Sequence, residues 1–316
     1  MSNKRYIAIA LVFGMACSGP SQKQEAVLDT PTSGKLIIAA DEALRPIVEA
    51  QIAAFEGIYT QADIEAVYLP EQQAVEYMLA DSAVLAVVTR TLTAGEKEQL
   101  QAGKIWPAET RVAGDALAVI LNAANPDTLF TTEQLVGVLR GEQQQWKELN
   151  AASSLGDIQV VFDNARSGAV RVLKDSLAGV SALPPNCFAV NSNPEVVAHV
   201  QANPNAIGII GVSWVSDTDD SLSQQFIRDV KIAALYSAAA TDYVQPYQAY
   251  LAQKFYPLQR SVYVLSREAR AGLGSGFTSF VASERGQRIV LKAGLVPATM
   301  PLRIVQLTEE AEYLTQ

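Results

Sequence analysis

The chain has 316 residues, with 24 Lys and Arg against 33 Asp and Glu, a formal net charge of −9, 49% hydrophobic residues and 18% charged ones. That length suits two lobes of ordinary domain size, and the apolar fraction is that of a globular chain with enough mass for real cores. The acidic balance without any basic stripe excludes a nucleic-acid partner, and one His with two Cys excludes the common zinc sites.

The N-terminus reads as an address. Lys4 and Arg5 precede an apolar run over 6–13, which is too short to span a bilayer as a stable helix. Gly14-Met15-Ala16 then leads to Cys17. A small residue directly before Cys resembles a bacterial lipoprotein cleavage site, which makes 1–17 a signal peptide and Cys17 the lipidated first residue of the mature chain. Gly14 departs from that pattern, which usually has a larger aliphatic residue there. A plain secretory signal with an incidental Cys is the other reading, and the Ser18-Gly19-Pro20-Ser21 tether favours lipidation. Residues 18–34 are polar, contain Pro and lack periodicity, so they read as a linker.

From residue 35 the pattern alternates. Strands are expected at 35–40, 64–69 and 84–88, with helices over 43–55 and 72–79 between them. Continuous apolar strands alternating with amphipathic helices predict a parallel sheet covered on both faces. An apolar strand at 114–122 follows, then a break at Asn125-Pro126 and a helix over 131–139 capped by Thr131 or Thr132. Further on come a helix over 193–200, a strand at 206–212, a polar loop at 217–223 and a strand at 230–235. A strand at 261–265 and helices around 276–282 and 284–293 close the chain. Asp217, Asp219 and Asp220 lack the spacing of a calcium loop and read as a solvated turn. The glycine-rich 272–276 lacks the preceding strand that a dinucleotide site needs and reads as a flexible loop.

At the centre, 160–162 is a β-branched and aromatic run that passes through a polar turn into a helix. Val170, Leu173 and Leu177 recur there at helical spacing, which turns Arg171, Lys174 and Asp175 outward. Ser167-Gly168 stands where the strand hands over to the helix N-terminus. Free N–H groups and the helix dipole favour an anion at such a point, and Gly allows close approach. On the local pattern alone a plain Ser N-cap is preferred. Nothing else suggests catalysis: there is no Walker loop or nucleophile elbow, no base stands beside Ser167, and His199 lies on an apolar helix face. Cys187 reads as a small core filler, and no cofactor is implied.

Several separated segments agree on a family. Residues 113–122, Asn125-Pro126, and Leu135 with Leu139-Arg140-Gly141-Glu142 and Trp146 resemble a block in the phosphate-binding proteins of ABC transporters. So do Ala206-Ile207-Gly208-Ile209-Ile210, residues 256–264, and the ending Phe277-x-x-Phe280-x-x-Ser283-x-x-Gly286-Gln287 with Gly294-Leu295-Val296-Pro297. Thr89-Arg90-Thr91-Leu92 is similar to the family's Ser-Arg-Pro-Leu. The resemblance runs from about 35 to 300 in the family's order.

It implies an α/β, two-lobed type II periplasmic binding protein (Venus-flytrap), with one lobe from 35–115 and 232–316 and the other from 116–231. The implied function is capture of phosphate or a similar small oxyanion in the interlobe cleft. Delivery would be to an inner-membrane ABC permease, by a lipid-anchored periplasmic monomer. Ser167-Gly168-Ala169 match the family's Ser-Gly-Thr at the phosphate site, with Ala169 in place of Thr. The implied site also takes in Asp41, Glu42, Ala43, Glu71, Gln72, Thr89, Arg90, Asp163 and Arg166.

The departures are acidic. Ala40-Asp41-Glu42-Ala43 replaces a Gly followed by hydroxyl residues, Pro70-Glu71-Gln72-Gln73 replaces a Gly/Ser-rich helix start, and Asp163 falls where the family has its phosphate-clamping Arg. Asp41 or Glu42, Glu71 and Asp163 are thus expected to face one cleft. There they would repel a dianion by on the order of several kcal/mol. Arg90 and Arg166 are the candidate replacement cations, and a surface ion pair is an equally good reading of Arg90. For Asp41 and Glu71 the bland alternative is N-capping, which would occupy the donors that phosphate needs. A second function follows from that: an envelope interaction or sensing module that has lost the anion.

Overall fold

A computed structural model describes residues 28–216 and 221–299. The expected signal peptide, the lipidation site Cys17, most of the linker, the acids Asp217, Asp219 and Asp220 and the last residues of lobe 1 lie outside the described residues. The end of the linker is part of the fold: Asp29 accepts from the Leu273 N–H at 3.0 Å and pairs with Arg270.

Lobe 1 opens with β1 (Ser33–Asp41), α1 (Arg45–Ile58), β2 (Gln61–Leu69), α2 (Glu71–Leu79), β3 (Leu85–Val88) and α3 (Ala94–Ala102). β1 lies between β2 and β3 and is parallel to both. Pro46 suits the first turn of α1, where its missing N–H is not needed. Ile47, Val48, Ile52 and Phe55 line the buried face of that helix, as their spacing predicts. α3 was not expected. It is a polar helix that buries only Leu100, so periodicity misses it; its start is fixed by a capping box between Thr93 and Glu96.

β4 (Ala108–Asn122) joins the lobes. Residues 108–116 pair antiparallel with a returning strand of lobe 1, and residues 117–122 pair with strands of lobe 2. Lobe 2 continues with β5 (Leu129–Phe130), α4 (Thr132–Arg140), α5 (Trp146–Leu149), β6 (Gln159–Phe162), α6 (Gly168–Arg171), β7 (Cys187–Ala189), α7 (Asn193–Ala202) and β8 (Ala206–Gly211). α8 (Ser221–Asp229), β9 (Val230–Ile232), β10 (Ala234–Ser237) and β11 (Asp242–Val244) complete it. α6 runs straight into a π-helical stretch over Val172–Ala178 that ends at Gly179 in the left-handed region, φ 64°. β6 is parallel to β7 and β8, and β8 is antiparallel to β4.

The chain then returns to lobe 1 with α9 (Gln248–Ala252), β12 (Gln259–Ser266), α10 (Leu273–Ala282), α11 (Glu284–Lys292) and β13 (Val296–Pro297). The strand order is β2-β1-β3-β12-β4 in lobe 1 and β4-β8-β6-β7 in lobe 2.

Four expectations change. The sheets are mixed, because β12 runs antiparallel to both β3 and β4. The expected strand over 230–235 is two strands that separate at Ala233: β9 pairs with β4 and β10 with β5. Past Val244 the chain is bonded to its C-terminal segment, Gln248 donating to the carbonyls of Leu291 and Leu295. Residues 221–223, expected to end a polar loop, are the start of α8. The glycines near 272–276 are the N-terminus of α10, where the Glu268 carboxylate accepts from Gly274 N (3.1 Å) and Ser275 N (2.6 Å). A helix end with capped amides is ordered structure, not a flexible loop.

Candidate functional site

The two lobes meet where strands end. On the lobe 1 side these are the ends of β1 (Asp41) and β3 (Thr89) and the start of α2 (Glu71). On the lobe 2 side they are the end of β6 (Asp163), the Ser167-Gly168 turn and the start of α7 (Asn193). Gly168 is the point of closest approach. A Cβ there would stand 2.7 Å from both Asp41 Oδ2 and Thr89 Oγ1, and 3.0 Å from Glu71 Oε1. No other residue type fits this close contact, which is the packing reason for Gly at the turn.

Glu71 is the most heavily bonded acid of the cluster. Its Oε1 accepts from the Thr89 N–H at 2.8 Å and from the Thr89 hydroxyl. Across the cleft, Arg171 Nε donates to Oε2 at 2.5 Å and Nη2 to Oε1 at 3.3 Å. Burial pushes this carboxyl up, but Arg171 and the Thr89 donors outweigh it and hold it below the usual range. Glu71 is therefore ionised.

Asp41 is fully buried. Its Oδ1 accepts from Ala43 N at 3.2 Å, and its Oδ2 has no protein donor. Burial, with Glu71 and Asp163 adding to it, raises its pKa well above the ordinary value against the pull of Arg260. Burial raises the pKa of Asp163 against the opposing pull of Ser167, Asn164 and Arg260, and its Oδ1 has no protein donor. Glu42 is raised by burial as well, and its Oε2 accepts from Asn193 Nδ2 at 2.5 Å and Asn193 N at 3.4 Å. Glu42 thus caps the first turn of α7 from the opposite lobe.

Arg260 of β12 is buried at the hinge and donates from Nε to Asp115 Oδ2 at 2.7 Å, while both Nη atoms lack protein acceptors. Burial lowers its pKa, but the charges of Asp115 and Asp41 outweigh that and raise it. Ala43 contributes its carbonyl to Trp214 Nε1 at 3.1 Å and to the Ser213 hydroxyl at 3.4 Å. No group of three or more His, Cys, Asp or Glu is placed to hold a metal ion among the described residues.

The acids read from the sequence thus converge, and Ser167, Gly168 and Ala169 are buried beside them. The expected cations do not. Arg166 is exposed, and only its backbone N and O are bonded, to Asn164 Oδ1 and Gln72 N. Arg90 forks onto Glu96, both bonds at 2.7 Å, within lobe 1. Gln72 is exposed; its N–H reaches the Arg166 carbonyl at 3.5 Å, so that amide is directed across the cleft.

The cleft cations are Arg171 and Arg260, and the outward placement expected of Arg171 is corrected. Two signals could have found them. Arg171 lies four residues after Ser167, on the same helix face as the turn. Arg260 is the one charged residue of β12, and Asp115 is the one charge in the buried stretch 112–122 of β4, where burial demands a partner. Outside the site, burial pushes the Cys187 thiol up to about 12, as an inert filler requires. His199 meets Gln159 Oε1 at 3.3 Å and the edge of Phe188.

A family model described as PBP superfamily domain matches residues 26–285. The chain is 22% identical over 289 residues to the phosphate-binding protein PstS of Pseudomonas aeruginosa, an alignment covering 87% of this chain and 85% of that protein. In structure it is similar to a candidate phosphate ABC transporter substrate-binding protein with bound phosphate from Clostridium perfringens. That likeness has a TM-score of 0.70 and 24% identity over 84% of this chain and 99% of the other. An ABC-type phosphate transport receptor from Vibrio cholerae gives a TM-score of 0.62 at 22% identity, over 84% and 100%.

Proposed function

The chain belongs to the PBP superfamily, and on that premise we propose that it is a solute-binding protein of the phosphate type, held in the periplasm by a lipid on Cys17. It takes phosphate or a similar small oxyanion between its lobes and passes it to an inner-membrane ABC permease. The observation that carries this reading is the convergence of turns from both lobes on Gly168. The names of the relatives supply the ligand class.

The charge state of the cluster also supports it. Burial raises the pKa values of Asp41 and Asp163, and Arg171 and Arg260 pair with Glu71 and Asp115, all of which lessens the repulsion that the cleft acids exert on an anion. Neutral carboxyls can also donate to phosphate oxygens.

Isothermal calorimetry with phosphate and sulfate tests it. Heat is expected with the native chain, weaker binding by about tenfold or more with Ser167→Ala, and no change with the exposed Arg166→Ala. Silence with both anions removes the reading.

One observation favours a second reading, the envelope sensing or interaction module without an anion. Thr89 and Arg171 already serve the chain's own carboxylate, Glu71. Calorimetric silence that persists in Glu71→Gln, with that acid neutralised, selects it.

A further inference from the structure

We infer that the Glu71 carboxylate is an internal anion that latches the two lobes shut without any bound solute. The latch itself is independent of the phosphate reading; only its displacement by solute rests on that reading.

The bonding of Glu71 is that of a bound oxyanion. A backbone N–H and a hydroxyl, both from Thr89 at the end of a lobe 1 strand, meet Oε1, and the guanidinium of Arg171 from lobe 2 forks over both oxygens. Arg171 Nη2 also donates to the carbonyl and hydroxyl oxygens of Thr89, at 3.2 and 3.1 Å, so the cation is bonded to lobe 1 at four places. Fork geometry on a buried carboxylate is among the strongest arrangements available to an ion pair. Glu71 is 2% exposed and Arg171 29% exposed in their side chains. The pair therefore sits at the cleft rim, with the anion inside and the cation reaching in from the edge.

A second bond across the cleft, Glu42 to Asn193, points the same way: a lobe 1 carboxylate occupies the helix N-terminus that lobe 2 offers. Gly168 shows how tightly the lobes are drawn together, since even a methyl group has no room between them.

In a binding protein whose lobes part when empty, a solute supplies the bridging charge. Here the chain supplies it. Opening requires Arg171 to leave Glu71, and a solute anion that enters must compete with Glu71 for Thr89 and Arg171. Native affinity for an added anion is then lower than that of the same cleft with Glu71 neutralised.

Small-angle X-ray scattering of the solute-free chain, with hydrogen exchange at the Thr89 amide, tests the latch. Arg171→Gln removes the cation from a half-exposed position and is the variant expected to fold most securely; Glu71→Gln removes the anion. Circular dichroism and melting confirm that each is folded. The native chain should scatter as the closed structure without phosphate, with Thr89 N–H protected. Both variants should have a larger radius of gyration and exchange Thr89 at least tenfold faster.

A native chain that is expanded when empty overturns the latch, as does a folded Arg171→Gln that stays as compact and as protected as the native chain. Added phosphate reads the other proposal separately. A Glu71→Gln chain that opens and then contracts with phosphate supports both, and a Glu71→Gln chain that opens and ignores phosphate keeps the latch while removing the anion reading.

Discussion

Asp41 has two carboxyl oxygens, full burial, and one N–H, that of Ala43, to accept. An ionised carboxylate would be poorly served there, and burial beside Glu71 and Asp163 accordingly raises its pKa. The consequence for stability has a definite sign. With a folded pKa above the unfolded value, the native state binds the extra proton. Its contribution is complete below about pH 4 and is lost as pH rises through the folded value. Asp41→Asn keeps the shape and the acceptor for Ala43 N but cannot ionise. Melting temperatures of the two proteins measured from pH 4 to pH 8 should diverge, with the variant gaining on the native chain as pH rises; parallel curves would sink the argument. At this scale the sequence was legible for acids and less so for bases. Asp41, Glu71 and Asp163 stand at strand and helix ends, which topology sends to the cleft. Arg166 failed because one residue of turn separates an exposed side chain from the buried Ser167, and side-chain direction within a turn is not periodic.

The element that decides the architecture is β4. Its fifteen residues serve both lobes, and its burial is continuous from Asp115 to Asn122. The Tyr256 hydroxyl donates to the Leu117 carbonyl at 2.8 Å, and Leu117 N donates to the Leu258 carbonyl at 2.9 Å, so the two crossing segments are bonded to each other. Beside them lies the Asp115–Arg260 pair, 0% and 2% exposed in its side chains. Removing one partner of such a pair leaves a buried charge uncompensated. Arg260→Met should cost about 3–5 kcal/mol in chemical denaturation. Adding Asp115→Leu should recover only part of it, because Asp41 and Asp163 also lose the cation that faces them. Full recovery would mean that Arg260 serves Asp115 alone. Strand and helix alternation was readable because apolar runs and amphipathic spacing are local properties. Strand direction was not, since the antiparallel β12 and β4 arise from the chain crossing between lobes twice. α3 was hidden by its polarity and α8 by the acids before it.

For the whole molecule the question is which state an added anion stabilises. A ligand that binds only the native state raises its stability by RT ln(1 + [L]/Kd), about 2.7 kcal/mol at a hundredfold excess over Kd. On the proposed reading, phosphate entering the native chain would replace bonds that Glu71 already makes, so the expected net gain is small. In Glu71→Gln the same donors face no competing charge. Differential scanning fluorimetry in a non-phosphate buffer, with phosphate raised stepwise, should therefore give a larger upward shift for Glu71→Gln than for the native chain. That shift should be on the order of 5 °C where phosphate exceeds Kd a hundredfold. Sodium chloride at matched ionic strength controls for screening of the cluster as a whole. An equal shift in both proteins would mean that the anion binds without displacing Glu71. A shift in the native chain alone would mean that Glu71 is needed to build the site, and the carboxylate would then be a ligand-orienting group, not a substitute for the ligand.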